Sequence, residues 1–172
     1  MSQILKIHRA KPNPLGKDRS RQGGPKPEQL VREWVDILNE GTEAVPFGRM
    51  QLHHTKFGNS CSEVLGTDCY WKGNGDSQAL APGQVLRVHT GKKIDEHFLV
   101  GEDLGDVAWR AFAGCGNFVL NNDCGDTISV LWQNDRSQWL RDSATYNPRP
   151  PEGVILHRVG DRLVPAPRFA FN

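Results

Sequence analysis

The stretch "NNDCGD" at residues 121–126 sets acids, amides, a cysteine and a glycine between apolar runs. Three kinds of chemistry use such residues. A calcium loop needs glycine at its sixth position and a bidentate glutamate at its twelfth. Counted from Asn121, those positions hold Asp126 and Trp132, so the pattern fails. A carboxylate dyad of Asp123 and Asp126 would need a cleft and a nearby base, and no histidine is close in sequence. A tight turn needs only side chains that tolerate positive φ and bond their own backbone, as Asn, Asp and Gly do. The stretch therefore reads as a strand connector in which Asp126 caps the turn.

The other candidate groups are equally short of a catalytic pattern. Cys61, Cys69, Cys115 and Cys124 lack the two-to-four-residue spacing of zinc knuckles. They permit three disulfide pairings. Free, metal-free thiols are expected; a Cys61–Cys69 bridge is the alternative in an extracellular setting. His53 and His54 are adjacent, so on a strand they point to opposite faces and cannot ligate one metal together. A site joining His53, His54 or His97 to the cysteines is not expected. "GNSCS" at 58–62 lacks the second glycine of a nucleophile elbow. "PLGKDRS" lacks the upstream glycine of a phosphate loop. The reading is no catalytic residue, no metal and no cofactor.

Charge is unevenly spread. Lys6, Arg9, Lys11, Lys17, Arg19, Arg21 and Lys26 face a single acid, Asp18, within residues 1–27; that segment carries +6 of a total of +1. Seven prolines and glycines from Pro12 to Pro27 make most of it loop. A basic loop can follow phosphates, with Trp71 or Trp109 as stacking surfaces, so these seven cations are the candidate nucleic-acid contacts. The plainer alternative is a solvated connection. No apolar run reaches transmembrane length, and the start has too short an apolar stretch for a signal peptide. A cytoplasmic chain with no membrane insertion is expected.

The elements that would position these residues are short and β-like. Leu5 and Ile7 alternate with Lys6 and His8. Met50 and Leu52 share a face, as do Leu86 and Val88 after the Pro82-Gly83 turn. "FVL" and "DTISVLW" flank the connector, and "VILHRVGDRLVPA" reads as a hairpin about Gly160-Asp161. "EQLVREWVDILNE" fits a strand with Val35 and Ile37 on one face, and equally a helical stripe of Leu30, Trp34, Ile37 and Leu38. Many short strands between turn signals suggest a sandwich or barrel.

"EWVDILNEG", "ALAPGQVLRVHTG" and "DVAWRAFAGCGNFVLNNDCGDTISVLW", in this order and spacing, resemble the lamin tail domain over roughly residues 3–146, in particular its bacterial stand-alone or appended members. The resemblance implies an immunoglobulin-like β-sandwich. It implies a strand, not a helix, with Val35 and Ile37 inward, ended by the turn Asn39-Glu40-Gly41. It implies binding and not catalysis: lamin tails contact chromatin and nuclear-envelope proteins, and bacterial members accompany nucleases or secreted hydrolases. This chain has no heptad run, hence no coiled-coil rod. Residues 150–172 lie outside the resemblance.

The expected architecture is all-β: a lamin tail-like sandwich over 1–149, with a basic Gly/Pro-rich loop at 10–30, and a C-terminal extension over 150–172 forming a hairpin and tail. Leu5, Ile7, Val35, Ile37, Leu52, Leu86, Val88, Ile128 and Val130 should share one core. The expected role is an interaction module that binds a protein partner or itself, with the C-terminal hairpin as docking edge. The alternative is an accessory domain that binds nucleic acid.

Overall fold

A computed structural model describes residues 2–16, 20–75, 77–94, 99 and 106–166. The architecture is all-β, and helix is limited to short turns such as Pro27–Leu30. The strands are β1 (Leu5–Lys11), β2 (Trp34–Asn39), β3 (Val45–Pro46), β4 (Met50–Phe57), β5 (Val64–Lys72), β6 (Ala79–Leu80), β7 (Val85–His89), β8 (Trp109–Phe112), β9 (Asp126–Gln133), β10 (Trp139–Tyr146), β11 (Leu156–Val159) and β12 (Arg162–Pro165). Ten of them form one sheet in the order β5-β4-β9-β10-β12-β11-β1-β2-β7-β8; β3 and β6 form a small second ladder.

The sheet curls on itself, so that β1 packs across β9 and β10. β5-β4-β9-β10 are joined to the rest through β12, and β10 meets β12 in a single parallel pair, Thr145 with Arg162. Inside the curl lies the core. Leu5, Ile7, Val35, Ile37, Leu52, Leu86, Val88, Ile128 and Val130 all belong to it, as the period-2 alternation of half-buried strands requires. Residues 34–39 are strand, which settles the helix alternative. Ala81–Gln84 closes as a β-turn with the Gln84 N–H on the Ala81 carbonyl. Gly83 sits at φ +77°, as a turn with Pro82 before it demands.

The other face of β2 is buried too, and it carries charge beside Trp34. Asp36 is fully buried between its neighbours in the ladder, Arg9 on β1 and Arg87 on β7. It accepts Nε of Arg87 at 2.7 Å and Nε of Arg9 at 2.8 Å, while the Arg87 guanidinium lies 3.5 Å from the Trp34 ring centroid. A bulge between Ile7 and Arg9 makes this possible. It switches the parity of β1, so Ile7 faces the core and Arg9 lands opposite Asp36.

Three expectations need correction. The hairpin of β11 and β12 exists, but it is no docking edge: β11 pairs with β1 and β12 with β10. Leu156 and Leu163 enter the core. "FVL" is not a strand, because the N–H groups of Val119 and Leu120 bond the Glu33 carboxylate and not a neighbouring strand. The cysteines are not all free. Cys61 is bonded to Cys124, while Cys69 and Cys115 are thiols.

Candidate functional site

The connector 121–126 is built around Asp126, whose side chain is fully buried. Its Oδ1 accepts the Thr55 N–H at 2.8 Å, and its Oδ2 accepts the backbone and side-chain N–H groups of Asn121 at 3.0 and 2.9 Å. His54 Nδ1 lies 3.3 Å from the same oxygen. Asn121 also reaches the Thr55 carbonyl, and its own carbonyl accepts the Tyr146 hydroxyl. Asp126 therefore does more than cap a turn: it ties the connector to β4. Gly125 is required here, since at φ +70° a Cβ would meet the Tyr146 carbonyl oxygen at 2.5 Å. The Cys61–Cys124 bridge makes a second tie, from the loop between β4 and β5 to the same connector.

Next to it lies Glu33, fully buried. Its Oε1 accepts Thr90 Oγ1 at 2.7 Å and the N–H groups of Val119 and Leu120 at 2.9 and 3.3 Å. Burial nevertheless dominates and pushes its pKa up to about 8, because loss of water penalises the anion more than three donors repay it. Burial likewise pushes the Tyr70 and Tyr146 phenols well above their ordinary range, and the Cys115 thiol upward. A His–Asp contact beside a neutral glutamic acid resembles acid–base machinery in residue type alone. Each carboxylate oxygen of Asp126 is engaged by backbone, and the group is sealed from solvent. His53, by contrast, points to the opposite face, bonded to Gln51, and burial lowers its pKa. Among the described residues no group of three His, Cys, Asp or Glu side chains could hold a metal; His97 lies outside them.

The candidate nucleic-acid contacts among the described residues do not gather as one surface. Arg9 is buried and divided between Asp36 and Asp106. It holds the Asp106 carboxyl below the usual range, chiefly by its hydrogen bond. Lys6 pairs with Asp142 at 3.1 Å. Lys11 and Lys26 are half-buried and Arg21 is exposed. Lys17 and Arg19 lie outside the described residues. Trp71 is buried to 8% exposure in the core, and Trp109 is half-buried against it.

Among the described residues two strands, β5 and β8, end the sheet with one neighbour each, and sequence reasoning marked neither. β5 ends one side of the sheet and is exposed along most of its length, with Val64 and Leu65 61% and 56% exposed. β8 ends the other side and is half-buried throughout. Between them lies a cleft of about 380 Å³. Phe47, Leu86 and Trp109 line it, with Lys72 and Arg110 also on its walls. Phe47 meets Trp109 edge-on at 5.3 Å, and the Trp109 Nε1 donates to Gln84 at 3.1 Å. No helix among the described residues is long and apolar enough to cross a membrane. No protein-family model matches the chain, and no characterised protein matches it in sequence.

Proposed function

We propose that this chain is a non-catalytic interaction module, an immunoglobulin-like sandwich of lamin-tail type that binds a protein partner or a second copy through an open sheet edge. The observation that carries this reading is the pair of edges, β5 and β8, at the two ends of one ten-stranded sheet, each with a single strand neighbour among the described residues. An exposed edge presents unpaired N–H and C=O groups that another strand can complete. On β5 the exposed Val64 and Leu65 add apolar area to that ladder. The reading is supported from the other side by the spent acids. Asp36, Asp126 and Asp142 are each saturated by arginine, lysine or backbone donors, which favours a structural use of them over proton transfer. A protein partner is favoured over nucleic acid, because Lys6 is paired with Asp142 and Arg9 is buried on Asp36. The Cys61–Cys124 bridge fits an oxidising compartment better than the cytoplasm, where thiols are kept reduced.

Hydrogen exchange tests the module directly. Amides of residues 64–72 or 109–112 should gain protection when the purified chain is returned to extract of its source cell or concentrated alone. Protection on neither edge would overturn the reading. So would turnover of an ester, phosphodiester or glycoside that one polar substitution abolishes.

A further inference from the structure

The first six residues of β5, from Val64 to Cys69, are all exposed; burial begins only at Tyr70 and Trp71. Among the described residues their one strand neighbour is β4, and that ladder is irregular. Its register shifts between Leu52 and His53 and again between Lys56 and Phe57. Gly66, midway along the exposed part, sits at φ +116°. Lys56 meets Asp68 at 3.6 Å, but both side chains are exposed, and such a pair contributes little.

The turn that leads into β5 is bonded to itself. The Gly58 N–H donates to the Glu63 carbonyl at 2.8 Å, the Glu63 N–H to the Ser60 carbonyl at 3.1 Å, and the Asn59 N–H to the Glu63 carboxylate at 2.8 Å. Among the described residues, no hydrogen bond of residues 58–63 reaches the connector 121–126. The connector itself is fixed: Asp126 and Asn121 bond Thr55 of β4, and the Asn122 carbonyl accepts the Arg149 N–H. Cys61–Cys124 joins the loose turn to this fixed point. Cys61 is exposed and Cys124 half-buried, so the bridge meets the access that thiol–disulfide exchange requires.

We propose that the Cys61–Cys124 bridge is a redox clamp on β5: closed, it fixes the edge strand for docking, and opened by a dithiol reductant it releases residues 58–69. A thiolate of the dithiol attacks Sγ of Cys61 and forms a mixed disulfide, and Cys124 leaves as a thiolate. The second thiolate of the reductant then attacks its own first sulfur, and Cys61 leaves. The reductant ends as a disulfide, the protein gains two electrons, and its two thiolates take up the two protons the dithiol lost. The clamp stands on the geometry of the turn; its effect on docking rests on the interaction-module reading.

Hydrogen exchange of the parent chain, oxidised and in dithiothreitol, tests the clamp. Alkylation should count two thiols in the first state and four in the second. On reduction, amides of residues 58–69 should exchange roughly tenfold faster or more, while those of residues 34–39 in β2 stay protected. Exchange of the dithiol for oxidised glutathione should restore both bridge and protection. Residues 58–69 that keep their protection when reduced would overturn the proposal. So would loss of protection at 58–69 and 34–39 together, which makes the bridge a staple of the whole fold, or failure to recover. In source-cell extract, residues 64–72 should gain protection in the oxidised chain and not in the reduced one. Equal gain in both states sinks the docking switch and leaves the module reading standing. No gain in either removes β5 as a docking edge, while the clamp is still judged on the purified chain.

Discussion

Replacing Glu33 by glutamine tests whether a buried, uncharged acid sits at the centre of the fold. In the unfolded chain this carboxyl has its ordinary pKa of 4.5, and in the folded chain it is pushed up to about 8. Between those values the folded state keeps a proton that the unfolded state releases. Stability contributed by the group is therefore fully present below pH 4.5 and is lost as pH rises toward 8. A shift of that size corresponds to on the order of 5 kcal/mol. The glutamine side chain cannot ionise, and its carbonyl can keep the bonds from Thr90, Val119 and Leu120. Urea unfolding of both proteins from pH 5 to 8.5 gives the difference between them. The histidines whose pKa burial lowers, His8 and His53, are common to both proteins, so their contribution cancels. The Glu33→Gln variant should be within about 1 kcal/mol of the parent at pH 5 and should gain steadily above it. At an m-value of about 2 kcal/mol/M the midpoint gain approaches roughly 2 M by pH 8. A difference that stays flat across the range, or a variant that loses stability as pH rises, would show that Glu33 is an anion held by its three donors.

Serine at both Cys61 and Cys124 opens a loop closed over a separation of 63 residues and should cost about 4 kcal/mol by chain entropy; intact-mass analysis of the alkylated parent should find two reactive thiols, Cys69 and Cys115, and four would refute the bridge. Ile37→Ala, at a position with no exposure, should cost about 2–5 kcal/mol in urea unfolding. Deleting residues 150–172 should abolish the cooperative transition, since β11 and β12 join β1 to β10; a truncated chain that melts like the parent would refute the seam.

What was legible in the sequence was whatever alternates. Leu5 and Ile7, Leu86 and Val88, Ile128 and Val130 reveal their inward face because side-chain direction on a strand has period 2. β5 was not legible for the same reason: with both Val64 and Leu65 outward, nothing in "VLGTDCYWK" alternates. The bulge in β1 removes and restores parity within one strand, so Arg9 reads as a surface cation although it is buried on Asp36. His54 and Asp126 are 72 residues apart, and only the pairing of β4 with β9 brings them together. The cysteine spacings left the pairing open, and the fold joins the loop at Cys61 to the connector at Cys124 while Cys69 and Cys115 stay thiols. "FVL" looked like a strand because its apolar character was visible and its hydrogen-bond partner, Glu33, was not.

The pairing of β11 with β1 has a consequence for synthesis. Arg158 on β11 donates to the Ile7 carbonyl on β1, 151 residues away. At roughly 5–20 residues per second, a ribosome delivers β11 on the order of ten seconds or more after β1 has emerged. Through that interval β1 can pair with β2 alone, and its other side stays open to any strand that passes. The local kink at the bulge, with Lys6 and Lys11 on either side of it, makes that waiting side a poor template for a wrong neighbour. The chain is thus protected while nascent by the same irregularity that later seats Arg9 on Asp36.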